Sequence, residues 1–233
     1  MNTIRSQTTS VPSTLRSGID VSFYLEMQKQ LFEVFLFVAC GQKNFDVFSV
    51  KLTSLLLEAG SFFDSLSQSF IRDVHKRGES FGVESNCGNF EAKARGEQNF
   101  TMADYRIIFE HRYQFSTLAL NLNPYGGDSG LSPLLYRHEK NREFLINPFD
   151  AWKDDRALDW WSAFTTLKHD RTANLEKATL RNTLRAFGGA FLVLCFFHEE
   201  YLKNGRAQDA FHLFTPHHWK LKSLRMRGDL IFE

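Results

Sequence analysis

Apolar positions recur with a helical period through residues 50–71. Leu52, Leu55, Leu56, Ala59, Phe62, Phe63, Leu66 and Phe70 share one helix face, and Ser49 or Asn44 is placed to cap its start. Residues 20–39 are also rich in apolar side chains. Leu25, Leu31, Phe32, Phe35 and Val38 follow mixed three- and four-residue steps, which predict a helix ended by Gly41-Gln42-Lys43-Asn44. Residues 77–100 carry four glycines, mixed charge and little period, the pattern of a long surface loop. Thr101 and Asp104 then have the spacing of a helix start, for a short helix reaching about His111.

Residues 113–122 alternate imperfectly and predict an extended segment, followed by turn chemistry at 123–128. Helical spacing returns over 154–169 through Leu158, Trp161, Phe164 and Leu167. After a polar break at 170–174, residues 175–203 read as one long helix. Leu180, Leu184, Phe187, Phe191, Leu194 and His198 lie on one face, and Gly188 and Gly189 leave room for another helix to approach. At the C-terminal end, Trp219-Lys220-Leu221-Lys222 and Leu224-Arg225-Met226-Arg227 alternate apolar with basic, the pattern of a small hairpin. The fold class expected is mainly α, one helical domain over 19–233, with a minor β element from the 113–122 strand and the C-terminal hairpin. Residues 1–18 are rich in Ser and Thr, contain no acid, and are expected to form a disordered tail.

Composition narrows the function classes. With 28 basic and 27 acidic residues the net charge is +1, so neither a polybasic nor a polyacidic protein is in hand. Charged residues at 24% and hydrophobic residues at 43% exclude a disordered chain, and 24 phenylalanines point to a core filled with rings. The three cysteines, Cys40, Cys87 and Cys195, form no CxxC pair; a disulfide scaffold is not expected, and a reducing, cytoplasmic location is. The apolar runs carry charges or are too short to cross a bilayer, so no membrane partner is expected.

The phosphate-binding and dinucleotide-binding loops, the HExxH motif and the EF-hand loop are all absent, and no cofactor or metal is implied. The densest polar motif is Lys168-His169-Asp170-Arg171, at the junction of two expected helices. His169 has the side chain that titrates near neutral pH and so suits acid/base work. Lys168 and Arg171 suit a phosphate or developing negative charge, and Asp170 is placed to orient the imidazole. The same residues also suit a purely structural corner, with cations at a helix C-terminus and Asp170 capping the next element. Arg181 and Arg185, four apart, would extend a basic surface. Lys203, Arg206, Lys220, Lys222, Arg225 and Arg227 against Asp209 leave 203–227 at net +5, a candidate nucleic-acid contact.

The run Trp160-Trp161, Phe164, Lys168-His169-Asp170-Arg171, followed by Ala178-Thr179-Leu180-Arg181-Asn182-Thr183-Leu184-Arg185-Ala186, resembles a group of uncharacterised bacterial proteins. Asn44-Phe45-Asp46-Val47-Phe48-Ser49 and Pro148-Phe149-Asp150-Ala151-Trp152 fit the same group, so the resemblance spans roughly 44–203. More distantly the layout is similar to the HEPN superfamily, compact helical domains of which many are metal-independent ribonucleases. Active members carry Arg-x4–6-His. Here Arg181-Asn182 begins such a motif, but Ala186, Phe187 and Gly188 stand where the histidine belongs. Arg106 with His111 and Arg206 with His212 have the spacing, at a frequency chance alone supplies. The resemblance implies a helical domain that binds or cleaves RNA, possible as a homodimer. His169 would be the acid/base of a variant site, and Lys168 and Arg171 would hold the phosphate that the RNA 2′-hydroxyl attacks. The rival expectation is a non-catalytic interaction or structural protein; a binder of small molecules in a Phe-lined pocket is a third.

Overall fold

A computed structural model describes residues 13–124, 144–204, 211 and 213–217. Among these the chain is mainly helical. Its helices are α1 (Ser13–Phe35), α2 (Val50–Lys76), α3 (Phe90–Ala94), α4 (Met102–Tyr113), α5 (Asp159–His169), α6 (Leu180–Phe197) and α7 (Glu199–Asn204). Three short strands, β1 (Ala119–Leu122), β2 (Phe144–Ile146) and β3 (Phe214–His217), form an antiparallel sheet in the order β2-β1-β3. Leu120 is paired with Ile146 on one side and with Pro216 on the other.

α2 and α6 form the centre, and α1 and α5 each pack against both. The apolar stripe of α2 is buried along its length, from Leu52 to Val74, and Ser49 caps it by accepting from the Leu52 N–H at 3.1 Å. α6 is buried nearly all round. It has the length and composition of a membrane span, but 78% of it is covered by the fold's own side chains. Rings fill the space between elements: Phe63 meets Trp160 edge-on at 5.2 Å, and Phe115 lies 5.1 Å from Phe149 and 5.4 Å from Phe196.

The two glycines of α6 admit different neighbours. A Cβ on Gly188 would sit 2.9 Å from Pro148 Cγ and 3.2 Å from Leu120 Cδ1, so this glycine lets the sheet approach. On Gly189 it would meet Trp160 and Phe149 at 3.2 and 3.3 Å, the close helix approach the sequence suggested. The Trp160 indole N–H donates to the Pro148 carbonyl at 2.8 Å, which makes it a core anchor.

Several boundaries differ from expectation, each for a tertiary reason. α1 begins at Ser13, so 13–18 is helix rather than tail; its first turns are anchored by Ser17 on His198 and Arg16 over the Phe197 ring. The expected strand over 113–122 shrinks to Ala119–Leu122. α4 runs to Tyr113 and stops at Gln114, which adopts a left-handed conformation (φ 49°), and a single turn of 3-10 helix follows. α5 begins at Asp159, because Asp155 (φ 57°) ends a separate 3-10 turn at Asp150–Asp154.

The long helix expected over 175–203 is divided twice. At its start, the Leu180 and Arg181 N–H groups donate to the Val47 and Phe45 carbonyls, each at 2.9 Å, so the chain pairs with 45–48 before it coils. At its end, His198 leaves helical geometry and separates α6 from α7. The loop 77–100 contains α3 and is held from outside. Arg72 donates to the Lys93 and Gln98 carbonyls, and Gln68 exchanges two bonds with the Phe100 backbone at 3.0 and 3.1 Å. Lys93 and Asp104 form a buried ion pair at 2.8 Å, and Asp104 and Thr101 complete a capping box on α4.

Candidate functional site

α5 ends at His169, and all four residues of the Lys168-His169-Asp170-Arg171 motif are exposed. They do not act as one constellation. Asp170 Oδ1 accepts from the N–H groups of Thr172 and Ala173 at 3.1 and 3.0 Å, and its carbonyl accepts from Asn174. Its carboxylate therefore shapes the turn after α5 and does not orient the imidazole next to it. Lys168 lies over the Phe164 ring at 5.8 Å. Neither Lys168, His169 nor Arg171 has an ion pair among the described residues.

Arg181 and Arg185 are committed elsewhere. Arg181 pairs with Asp46 at 3.2 Å and covers the Phe45 ring, while Arg185 pairs with Asp150 at 2.9 Å and reaches toward Asp159. Each is neutralised by a neighbouring carboxylate, so the pair does not extend an open basic surface. Lys220, Lys222, Arg225 and Arg227, with the expected hairpin, lie outside the described residues. So does His212. Arg106, of the pair spaced like a nuclease motif, is bound by Asp155.

What the motif does border is an open groove of about 270 Å³ between α2 and α5. Its α2 wall is Ser61, Asp64, Ser65, Gln68, Ser69 and Arg72, and the opposite side is Phe164 and Lys168, with Asn99 at one end. The α2 residues are the polar complement of that helix's apolar stripe, at helical spacing. This was the signal available in the sequence, eclipsed there by the brighter charged run. Phe164 forms the floor by lying directly on Gly60, where a Cβ would be 2.5 Å from the ring.

The groove's electrostatics favour an anion. Arg72 is bonded to the neutral oxygens of Lys93, Gln98 and Asn99, at 3.1, 3.1 and 3.3 Å, and forms no ion pair among the described residues. Lys168 supplies a second cation. The one carboxylate, Asp64, accepts from the Tyr105 hydroxyl at 2.5 Å. Burial, and then the Asp64 charge, push that phenol far above its ordinary value, so it stays protonated and stays a donor.

A second polar cluster escaped the sequence reading. Ser17 Oγ is 2.9 Å from His198 Nδ1, and His198 Nε2 is 2.8 Å from Asp20 Oδ2. A carboxylate only accepts, so Nε2 donates to Asp20, and Nδ1 shares a hydrogen bond with the serine hydroxyl. The order of groups is that of a nucleophile relay. Yet Ser17 and His198 are buried, and Ser17 stands inside a helix. The cluster fastens α1 to the α6–α7 bend. The thiols offer no nucleophile either: all three are buried, and burial, followed by Asp104, pushes Cys87 up to about 11. Among the described residues no group of His, Cys, Asp and Glu side chains is placed to hold a metal.

Comparison with protein families, with curated proteins and with solved structures finds no match to this chain.

Proposed function

We propose that this chain binds RNA through its phosphates, in the groove between α2 and α5 and on the exposed end of α5, without cleaving it. The observation that carries the reading is the groove itself. Two cations free of carboxylate partners, Arg72 and Lys168, face it together with the hydroxyls of Ser61, Ser65 and Ser69. Arg171 and His169 continue the surface past the end of α5. Hydroxyls, guanidinium and ammonium are the groups that contact phosphate oxygens. Cleavage is left out because general acid/base work needs an imidazole held against the reacting atoms, and Asp170, the side chain placed to hold it, is spent on the turn. A HEPN-like ancestry remains compatible with such a role.

Fluorescence anisotropy of a labelled single-stranded RNA, titrated at several salt concentrations, tests the proposal. The double variant Lys168→Ala/Arg171→Ala should weaken binding at least about tenfold and reduce the salt slope by about one for each phosphate left without a cation. His169→Ala should leave the melting temperature unchanged, and the RNA should stay intact with wild type and variant alike. Absence of binding at low salt, or binding indifferent to the double variant, would refute the reading.

A further inference from the structure

Asp64 is the one carboxylate of the groove between α2 and α5, and the cations that share the groove leave it unpaired. Its Oδ1 accepts from the Tyr105 hydroxyl of α4 at 2.5 Å. Its Oδ2 has no hydrogen-bond or ion-pair partner among the described residues, although Arg72 and Lys168 line the same groove. Each of the three charges is held in place by something else. Tyr105, which accepts from the Gln68 amide at 2.7 Å, holds Asp64. Three neutral oxygens hold Arg72, and the Phe164 ring lies under Lys168. Opposite charges that a fold keeps apart along an open groove suit a ligand carrying both an anion and a hydrogen-bond donor.

The order of the charges narrows that ligand. Phe164 lies on Gly60, so Lys168 stands at the Gly60 end of the groove. Arg72 stands at the other end, bonded to Asn99. Gly60 and Arg72 are twelve residues apart in α2, about 18 Å of helix. Asp64 falls between them, about 6 Å beyond Gly60 and about 12 Å short of Arg72. Cation, carboxylate, cation is the order that complements phosphate, sugar, phosphate along a nucleic-acid strand. A carboxylate repels phosphate, and between two phosphates of the backbone the ribose 2′-hydroxyl is the group that donates to it. Deoxyribose has no such donor. Base edges also carry donors, but the groove offers a base little to stack on or pair with. Phe164 is only 3% exposed, and Gln68 spends both ends of its amide on Phe100 and Tyr105.

We propose that Asp64 reads the ribose 2′-hydroxyl through its free Oδ2 and so makes this groove select RNA over DNA. This selectivity rests on the RNA-binding reading above; the phosphate contacts alone would hold either strand.

Fluorescence anisotropy of the full chain decides the matter, with three labelled single strands of one base sequence: RNA, DNA, and RNA methylated at every 2′-oxygen. Wild type should bind RNA at least about tenfold tighter than either of the others, the factor expected of a hydrogen bond to a charged group. Asp64→Ala should bring all three within about threefold of one another, by weakening on RNA while DNA binding holds or rises as the repulsion is removed. Asp64→Asn, which keeps a neutral acceptor, should fall between. A merely structural role for Asp64 would weaken RNA and DNA alike and leave their ratio where it was. The methylated strand reads the sugar contact on wild type, independently of how the variants fold. Equal binding of RNA and DNA by wild type overturns the assignment of Asp64 and leaves phosphate binding in place. So does a ratio unchanged by Asp64→Ala, and so does a preference that follows the base and not the sugar. Absence of binding to all three strands at low salt removes the RNA reading and this contact with it.

Discussion

Gly60→Ala probes the contact on which the groove is built. In a mid-helix position alanine favours the helix by about 1 kcal/mol over glycine, so an uncrowded site would gain stability. Here the new Cβ would lie 2.5 Å from Phe164 Cδ2 and 2.6 Å from Cγ, and the contact must open by about 1 Å to reach ordinary carbon–carbon separation. The ring can yield only toward the groove that it lines. It packs 4.9 Å from Trp161, and its neighbours Ala163 and Leu167 are buried. Overpacking of this kind costs about 1–3 kcal/mol, offset in part by about 1 kcal/mol of helix propensity gained, for a net loss of up to about 2 kcal/mol. In a chain of this size that lowers the melting temperature by up to about 8 °C. Urea and thermal unfolding followed by circular dichroism measure it. The double variant Gly60→Ala/Phe164→Leu closes the cycle: the alanine should cost at least about 1 kcal/mol less when the ring is gone. Because Lys168 rides on Phe164, Gly60→Ala should also weaken RNA binding. A Gly60→Ala protein more stable than wild type, with additive behaviour in the double variant, would refute the packing argument.

Two further predictions concern the polar contacts that hold the fold. Burial alone would raise the Asp104 carboxyl, but the Lys93 ammonium and the Thr101 donors outweigh it and hold it below the usual range. A carboxyl lowered on folding stabilises fully above its unfolded value of about 3.9 and loses that contribution as pH falls through the folded one. Asp104→Asn should thus cost about 3 kcal/mol near neutrality by leaving Lys93 buried and unpaired, with the gap to wild type narrowing below about pH 4; a gap independent of pH would contradict this. His198→Ala should cost about 1–3 kcal/mol, since it strips the buried Ser17 and the half-buried Asp20 of their shared partner. Limited proteolysis should then cut α1 first, and a variant as resistant as wild type would argue against the fastening role.

The sequence alone determined what depends on local pattern. The 3.6-residue period of Leu52 to Phe70 located α2, and Ser49 and Thr101 marked the starts of α2 and α4, because amphipathic spacing and cap chemistry act within a turn or two of the chain. The mainly helical class with a minor sheet followed from the same patterns. What only the tertiary structure decided involves partners distant in sequence. Ser17 meets His198 across 181 positions, and that contact turns an apparent tail into the start of a helix. Carbonyls at 45 and 47 take the N–H groups that would have begun α6 earlier. Arg181 and Arg185, basic in the sequence, are neutralised by Asp46 and Asp150, which no local pattern announces. Asp170 beside His169 looked like its orienting partner, yet the geometry of the turn claimed the carboxylate first. Periodicity states which residues share a face. Which two faces meet, and so where a groove opens between α2 and α5, is set by how rings such as Phe164 pack onto Gly60.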